Sequence, residues 1–469
     1  MNSTQVYNPF LPSWEYIPDG EPHIFGDRLY LFGSHDRFNG TQFCMNDYVC
    51  WSCPLEDLSA WRCEGTIYRK EQDPAAKSDS IMQAPDVCRG PDGRYYLYYT
   101  LGLIPFLSVA VCDTPAGQYE YYGVVKYRDG TPAGMREHDV FQFDPGLFTD
   151  DDGRIWLYSG FGPKEEGFFA AACQKYRMEG AYAMELCADM LTVKTEPRLV
   201  FPKTGEHGFF EASSMRKING KFYFIYSSQL GHELCWAVGD KPDGPFTFGG
   251  TLISNGDIGV SNTPRNYTGN THGSLAELNG QWYIFYHRQT NRHQYSRQAC
   301  AEKIELADGK FQQAELTSCG LNGGPQRGDG EYEARIACNL WSRDGALFYG
   351  VSSTPEAETH PYFTQTGEDR EDSGDQYIAD MRDGATAGFK YFVFDGLREI
   401  GVQVSGTGHG EFIVATEPDR EPICRIPVSP SVKRSWFRAP ATPLNGKLAL
   451  YFTFHGKGIA ALHRIDLKK

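Results

Sequence analysis

The chain has 469 residues, a formal net charge of −15, 51 glycines and 14% aromatic residues. That length exceeds what one hydrophobic core usually supports, so two domains are expected. An acidic surface with no basic run to offset it excludes nucleic acid as a partner, and no apolar stretch is long enough for a membrane-spanning helix.

The start, MNSTQVYNPF, lacks a charged segment followed by an apolar one, and the thirteen cysteines have no disulfide-framework spacing. Both point to reduced thiols and a cytoplasmic location. Cys50-Trp-Ser-Cys53 is spaced like a redox or zinc pair. It has no second pair to complete it and sits in an aromatic, strand-like stretch, so inert core thiols are expected.

From Glu21 onward one unit recurs five times: a short strand, a tight turn, and a strand dense in aromatics. The segments are EPHIFGDRLYLFGSHD from Glu21, APDVCRGPDGRYYLYYT from Ala84, DPGLFTDDDGRIWLYSG from Asp144, EASSMRKINGKFYFIYSS from Glu211 and THGSLAELNGQWYIFYHR from Thr271. Each holds a two-residue hairpin signal: Gly26-Asp27, Asp92-Gly93, Asp152-Gly153, Asn219-Gly220 and Asn279-Gly280. These pairs tolerate the positive φ of type I′ and II′ turns. The turn glycines are spaced 67, 60, 67 and 60 residues apart. A repeat of that length holds about four strands with loops, one propeller blade. The predicted fold is all-β: a five-bladed β-propeller over residues 1–318, a Gly-rich connection over 319–330, and a smaller antiparallel β-sandwich over 331–469.

The innermost strands of a propeller run along its central channel, so side chains that open them in different blades meet at one mouth. Aligning the repeats on their turns puts Glu21, Asp144 and Glu211 at that opening position, with His272 there in blade five and Asp86 one step later in blade two. Carboxylates gathered in a water-accessible pocket suit glycoside hydrolysis, in which one protonates the leaving oxygen and another activates water. Crowded like charges raise the pKa of one member, which can then serve as the acid. Phe32 and Trp51 of blade one are candidate platforms for stacking on sugars.

At these residues the chain resembles glycoside hydrolase family 43, five-bladed enzymes active on arabinose- and xylose-containing glycans. The resemblance spans roughly residues 8–315. It rests on Asn8-Pro9, Glu21-Pro22-His23 ahead of RLYLFGSHD, Ala84-Pro85-Asp86-Val87, Asp144-Pro145 before DGRIWLYSG, and Phe210-Glu211-Ala212 before KINGKFYFIYSS. It implies an inverting mechanism with an aspartate base, a second aspartate that tunes pKa, and a glutamate acid. Carried over, Asp144 is the tuner and Glu211 the acid. Blade one departs from the pattern, with Glu21-Pro22 where the family has Asp-Pro; repeat register favours Glu21 as base, and Asp19 is the rival. His287-Arg288 and Arg297 resemble the family's substrate-facing end of blade five, with Arg297 holding either a sugar hydroxyl or a carboxylate, or forming a structural ion pair. His272 is either a channel histidine beside a calcium-type ion, as in several relatives, or one satisfied without an ion; no cofactor is otherwise required. The last 139 residues are similar to β-sandwich modules appended to such hydrolases, as a sugar-binding or a buttressing domain. The expected function is removal of arabinofuranosyl or xylosyl units from plant-derived oligosaccharides, with a non-catalytic, lectin-like propeller as the alternative.

Overall fold

The computed structural model of the protein describes residues 6–348, 354–370 and 375–469. The repeats form five antiparallel meanders. Blade one comprises Glu21–Phe25, Arg28–Phe32, Tyr48–Pro54 and Arg62–Tyr68, in that order from the channel outward. Blades two, three and four have the same order and open with Met82–Arg89, Gly146–Thr149 and Phe209–Ile218. Blade five has three strands among the described residues, Leu275–Leu278, Gln281–Gln289 and Arg297–Lys303.

The aromatic composition follows from this geometry. A blade is covered on both faces by its neighbours, so its second strand is mostly buried, and in Ile155–Phe161 buried throughout. Large flat side chains fill the wedges between twisted sheets. Each blade interface has its own cluster: Phe32 and Tyr48 with Leu97 and Tyr99 between blades one and two, Tyr96 and Tyr98 with Ile155 and Leu157 between two and three, and Trp156 and Tyr158 with Phe222 and Phe224 between three and four. Tyr223 and Trp236 meet Ile284 and Tyr286 between four and five, and Leu29, Leu31 and Trp51 meet Phe285 and Ala299 across the closure. The amino-terminal segment completes that closure. Asn8 accepts the Ala301 N–H through Oδ1 (2.9 Å) and donates to the Ala301 carbonyl from Nδ2 (2.8 Å), so one carboxamide does what a neighbouring strand's backbone would do at the edge of blade five.

The expected two-residue turns occur in blades one, four and five, where Phe25 pairs with Arg28, Ile218 with Lys221 and Leu278 with Gln281. In blades two and three the loops are longer. The Gly90 and Asp150 N–H groups donate to the carbonyls of Arg94 and Arg154, and the positive-φ glycines, Gly93 and Gly153, end the loops.

The second domain is one continuous set of strands bent over a single apolar core that includes Phe389, Phe392, Phe412, Phe452 and Phe454. Two long strands, Thr386–Gly406 and Ser431–Lys457, pair along most of their length and change register four times, and these irregularities let them serve both layers of the sandwich. The Gly-rich run is only partly a connection. Gln326–Arg327 already pairs in parallel with Phe392 and Val393, so the second sheet begins inside the run. The domains are locked together through buried charge: Lys390 Nζ lies 2.8 Å from Asp257 Oδ2 and 2.9 Å from Glu315 Oε1.

Gly146 sets the approach of blades three and four at the channel mouth. A Cβ there would stand 2.1 Å from the Ser213 carbonyl oxygen, a backbone atom with no room to yield. Gly146→Ala is therefore expected to push the two inner strands apart, at a cost of about 1–3 kcal/mol in stability. Because Asp144 and Glu211 ride on those strands, activity should fall further than thermal unfolding accounts for. A variant with wild-type melting temperature and turnover would contradict this role.

Candidate active site

The residues that open the inner strands leave regular β geometry. Asp19 and Asp144 have φ of 56° and 45°, and Ala212, next to Glu211, has φ of 69°. A left-handed alanine is unfavourable, and such residues concentrate where the fold must aim a side chain. The register of blade four shifts on both sides of Glu211. This bulge turns the Ala212 N–H toward the Asp144 carboxylate.

Three acids gather at this mouth. His272 Nδ1 lies 3.7 Å from Asp19 Oδ1 and 3.6 Å from Asp144 Oδ2, so the histidine stands between them. Glu211 is less buried, and its Oε1 is 3.3 Å from His232 Nε2. Burial pushes the Asp19 carboxyl up, but the Arg297 guanidinium together with His272, His287 and the Ser34 hydroxyl more than offsets it and holds the group at about 2. Arg297 donates from Nη1 to Asp19 Oδ1 at 2.9 Å, and grips Asp36 with Nε at 2.8 Å and Nη2 at 3.0 Å. Asp144 goes the other way. Burial raises it well above the usual carboxylate range, and the charges of Glu211 and Asp19 raise it further. Their surroundings thus push the Asp19 and Asp144 carboxyls in opposite directions.

Glu21 stands apart from this arrangement. Its Oε1 accepts from Arg216 Nη2 at 2.6 Å and from the Ser214 hydroxyl at 2.9 Å, and Ser214 in turn contacts Ser274 at 2.8 Å. The carboxylate that the repeat register favours as base is thus tied into a polar layer across the channel. Asp86 belongs to the same layer rather than to a sugar site. It contacts His23 Nε2 at 2.6 Å and accepts the N–H groups of Val87 and Leu147, each at 2.6 Å. Below the layer the channel opens into a cavity of about 640 Å³ at the opposite mouth, lined by the inner strands of all five blades.

The other candidates are supports. His287 is fully buried; its Nδ1 accepts the Asp19 N–H at 3.2 Å, so Nε2 carries the proton and donates to the Asn270 carbonyl at 2.5 Å. Burial holds this imidazole down at about 3, hence neutral. Phe32 is 1% exposed in the cluster between blades one and two, and Trp51 is 4% exposed with its indole N–H on Glu15 Oε2 at 2.8 Å. Neither ring has a face free for a sugar. Cys50 and Cys53 are buried thiols. The donor set around His272 does not suit calcium, which takes six to eight oxygens. The near oxygens there belong to Asp19 and Asp144, and Asp19 already has Arg297 as its cation. Among the described residues, Glu21, His23 and Asp86 bring three donor atoms within 4.8 Å, but Glu21 Oε1 already accepts from Arg216 and Ser214 and both oxygens of Asp86 accept backbone N–H groups.

Asp36, Asn270, Arg216 and His232 escaped the sequence reading. Asp36 ends the GSHD of blade one, and Arg216 lies on the inner strand of blade four. A search for cations to balance the buried acids would have reached Arg216.

A five-bladed propeller whose channel mouth gathers three acids, Asp19 held low and Asp144 raised, suits acid–base cleavage of a glycosidic bond. The sequence matches the family model described as glycosyl hydrolases family 43 over residues 16–311. It is 48% identical to a xylosidase/arabinosidase of Thermoclostridium stercorarium over 99% of both chains, and 31% identical to a xylosidase/arabinosidase of Bacteroides ovatus over 59% of this chain and 87% of the other. In fold it is similar to a family 43 arabinoxylan arabinofuranohydrolase from Bacillus subtilis, with a TM-score of 0.53, 19% identity and 99% of both chains covered. The chain belongs to glycoside hydrolase family 43 and is a glycoside hydrolase.

Arg297→Lys leaves Asp36 a cation but cannot reach Asp19 at the same time. With burial then less opposed, the Asp19 carboxyl rises toward and beyond its ordinary range. If Asp19 must be ionised for turnover, the acid limb of kcat/KM should move up by about one pH unit or more. A pH–rate profile with an unmoved acid limb would separate Arg297 from the chemistry.

Proposed function

We propose that the protein is an inverting glycosidase that removes xylosyl or arabinofuranosyl units from plant-derived oligosaccharides, with Asp19 as base, Asp144 as pKa tuner and Glu211 as acid. The observation that carries this is the opposed setting of the acids: Asp19 is ion-paired with Arg297, while Asp144 is pushed up by burial and by Glu211. Pairs of carboxylates with environments that drive them apart mark the base and the acid. The pentose specificity is supported by the 48% identical xylosidase/arabinosidase.

In the single displacement, Asp19 takes a proton from a water molecule whose oxygen attacks the anomeric carbon. The bond to the leaving oxygen breaks, and that oxygen takes the proton from Glu211. The products are a free sugar of inverted configuration and a shortened oligosaccharide. Asp19 then holds the proton and Glu211 the charge, and exchange with solvent restores both. The steps use carboxylates and water alone. The thirteen free thiols support a reducing compartment, the cytoplasm, where imported oligosaccharides are the available substrates.

Substitution separates the roles. Asp19→Asn is expected to abolish hydrolysis of pentosyl oligosaccharides while leaving binding largely intact, and azide should partly restore turnover by attacking from the water's side. Glu21→Gln, which keeps an acceptor for Ser214, should be milder and unresponsive to azide. If Glu21→Gln proves to be the dead and rescuable variant, the assignment of the base is wrong.

Glu211→Gln cannot donate a proton. It should lose about 10²–10⁴-fold on natural linkages and far less on aryl glycosides whose leaving groups need no acid. Equal losses on both substrate types would give Glu211 another job.

A further inference from the structure

Behind the base lies a buried group that the hydrolytic steps do not use. Glu15 is almost wholly buried and accepts from the Trp51 indole N–H and the Tyr16 N–H. Its cation comes from the other domain: Arg370 Nη1 stands 2.8 and 3.0 Å from its two carboxylate oxygens. The same nitrogen lies 2.8 Å from His35 Nε2, whose ring Nδ1 faces the Asp47 carbonyl at 2.7 Å. A carbonyl only accepts, so Nδ1 carries a proton, and Nε2 lies 3.1 Å from Glu15 Oε1 as well as beside Arg370, so the three side chains form one buried cluster.

The preceding residue grips the same segment. Asp369 accepts the Phe38 N–H through Oδ1 at 2.7 Å and the Asn46 side-chain amide through Oδ2 at 3.0 Å. Asn46 also donates to the Asp36 carbonyl at 3.1 Å. Between these holds sits Asp36, whose carboxylate fixes Arg297 and thereby the cation on Asp19. The segment crosses two left-handed residues, Asn39 and Cys44, so its path needs outside contacts to persist. Two adjacent residues of the sandwich thus make five polar contacts with blade one, all on Glu15 or within residues 35–46.

We propose that the Asp369–Arg370 turn of the second domain is a positioning element of the catalytic centre, holding residues 35–47 so that Asp36 keeps Arg297 on Asp19. The sandwich is then a working part of the active site rather than a separable sugar-binding module. This rests on the reading of Asp19 as base. Asp19 is faced by Arg297 and His287 from blade five, by His272, and by the Asp144–Glu211 pair across the pocket.

The test compares full-length wild type, Arg370→Met, Arg370→Lys and Asp369→Asn by hydrogen exchange and kinetics. In Arg370→Met the amides of residues 36–46 should exchange at least about tenfold faster, while those of blades three and four stay as in wild type. On pentosyl oligosaccharides kcat should fall about 10- to 100-fold with KM little changed, since a small misplacement of a reacting group costs that much. The acid limb of kcat/KM should move upward, and Arg370→Lys should recover part of both losses. Asp369→Asn should loosen the segment in the same direction and also lower kcat. Unchanged exchange at 36–46 in both Arg370→Met and Asp369→Asn overturns the clamp whatever the kinetics show. Faster exchange with wild-type kcat and acid limb overturns the positioning role. A wild type inactive on every pentoside would instead overturn the glycosidase reading, and that result is visible before any variant is made.

Discussion

Arg297 is buried with two carboxylates, one from each end of the first blade's lead-in and loop, and its planar fork is the only geometry that serves both. Asp36 takes Nε and Nη2 side by side, and the remaining Nη1 reaches Asp19. Burying three charges is costly, and breaking such a set by removing one member typically costs about 3–5 kcal/mol. The arrangement therefore commits blade one to blade five at the seam where the propeller closes. It also drives two acids apart: Arg297 helps hold the Asp19 carboxyl low, while burial and the charge of Glu211 raise that of Asp144. One guanidinium thus secures the ring and helps set Asp19 apart from Asp144.

The rest of the fold serves that separation. Interblade clusters hold the five inner strands at fixed angles, so that residues far apart in sequence share one pocket. Gly146 allows blades three and four to approach until Asp144 and Glu211 sense each other, and the Ser214–Ser274–Glu21–Arg216 layer shuts the pocket off from the cavity beneath. Asn270 and His287 hold the Asp19 backbone from the blade-five side. The second domain enters the same logic through Asp369 and Arg370.

The five-fold architecture was legible in the sequence because turn chemistry and aromatic strands are local signals repeated five times. The site was legible only in part. Counting back from turns assumes unbroken strands, yet the inner strand of blade four carries bulges around Glu211. Measured from the last residue before each turn, Asp19, Asp144 and Glu211 stand six, five and seven positions back, and Glu21 only four. Bulges hid that spacing. Phe32 and Trp51 read as sugar platforms in sequence because alternation in a strand cannot tell a face toward the pocket from a face toward the next blade. The contact between Glu15 and Arg370 spans 355 residues and has no local signature at all.

The central claim is that a water activated by Asp19 displaces the leaving group in one step while Glu211 protonates it. Proton NMR of a pentosyl oligosaccharide during hydrolysis by the wild-type protein tests this most directly, because the first-formed anomer is seen before mutarotation scrambles it. The account predicts that the anomeric signal appears first in the configuration opposite to that of the cleaved linkage. A first-formed product of retained configuration would contradict it, since retention requires a carboxylate to attack the sugar, and Asp19 is placed here to activate water.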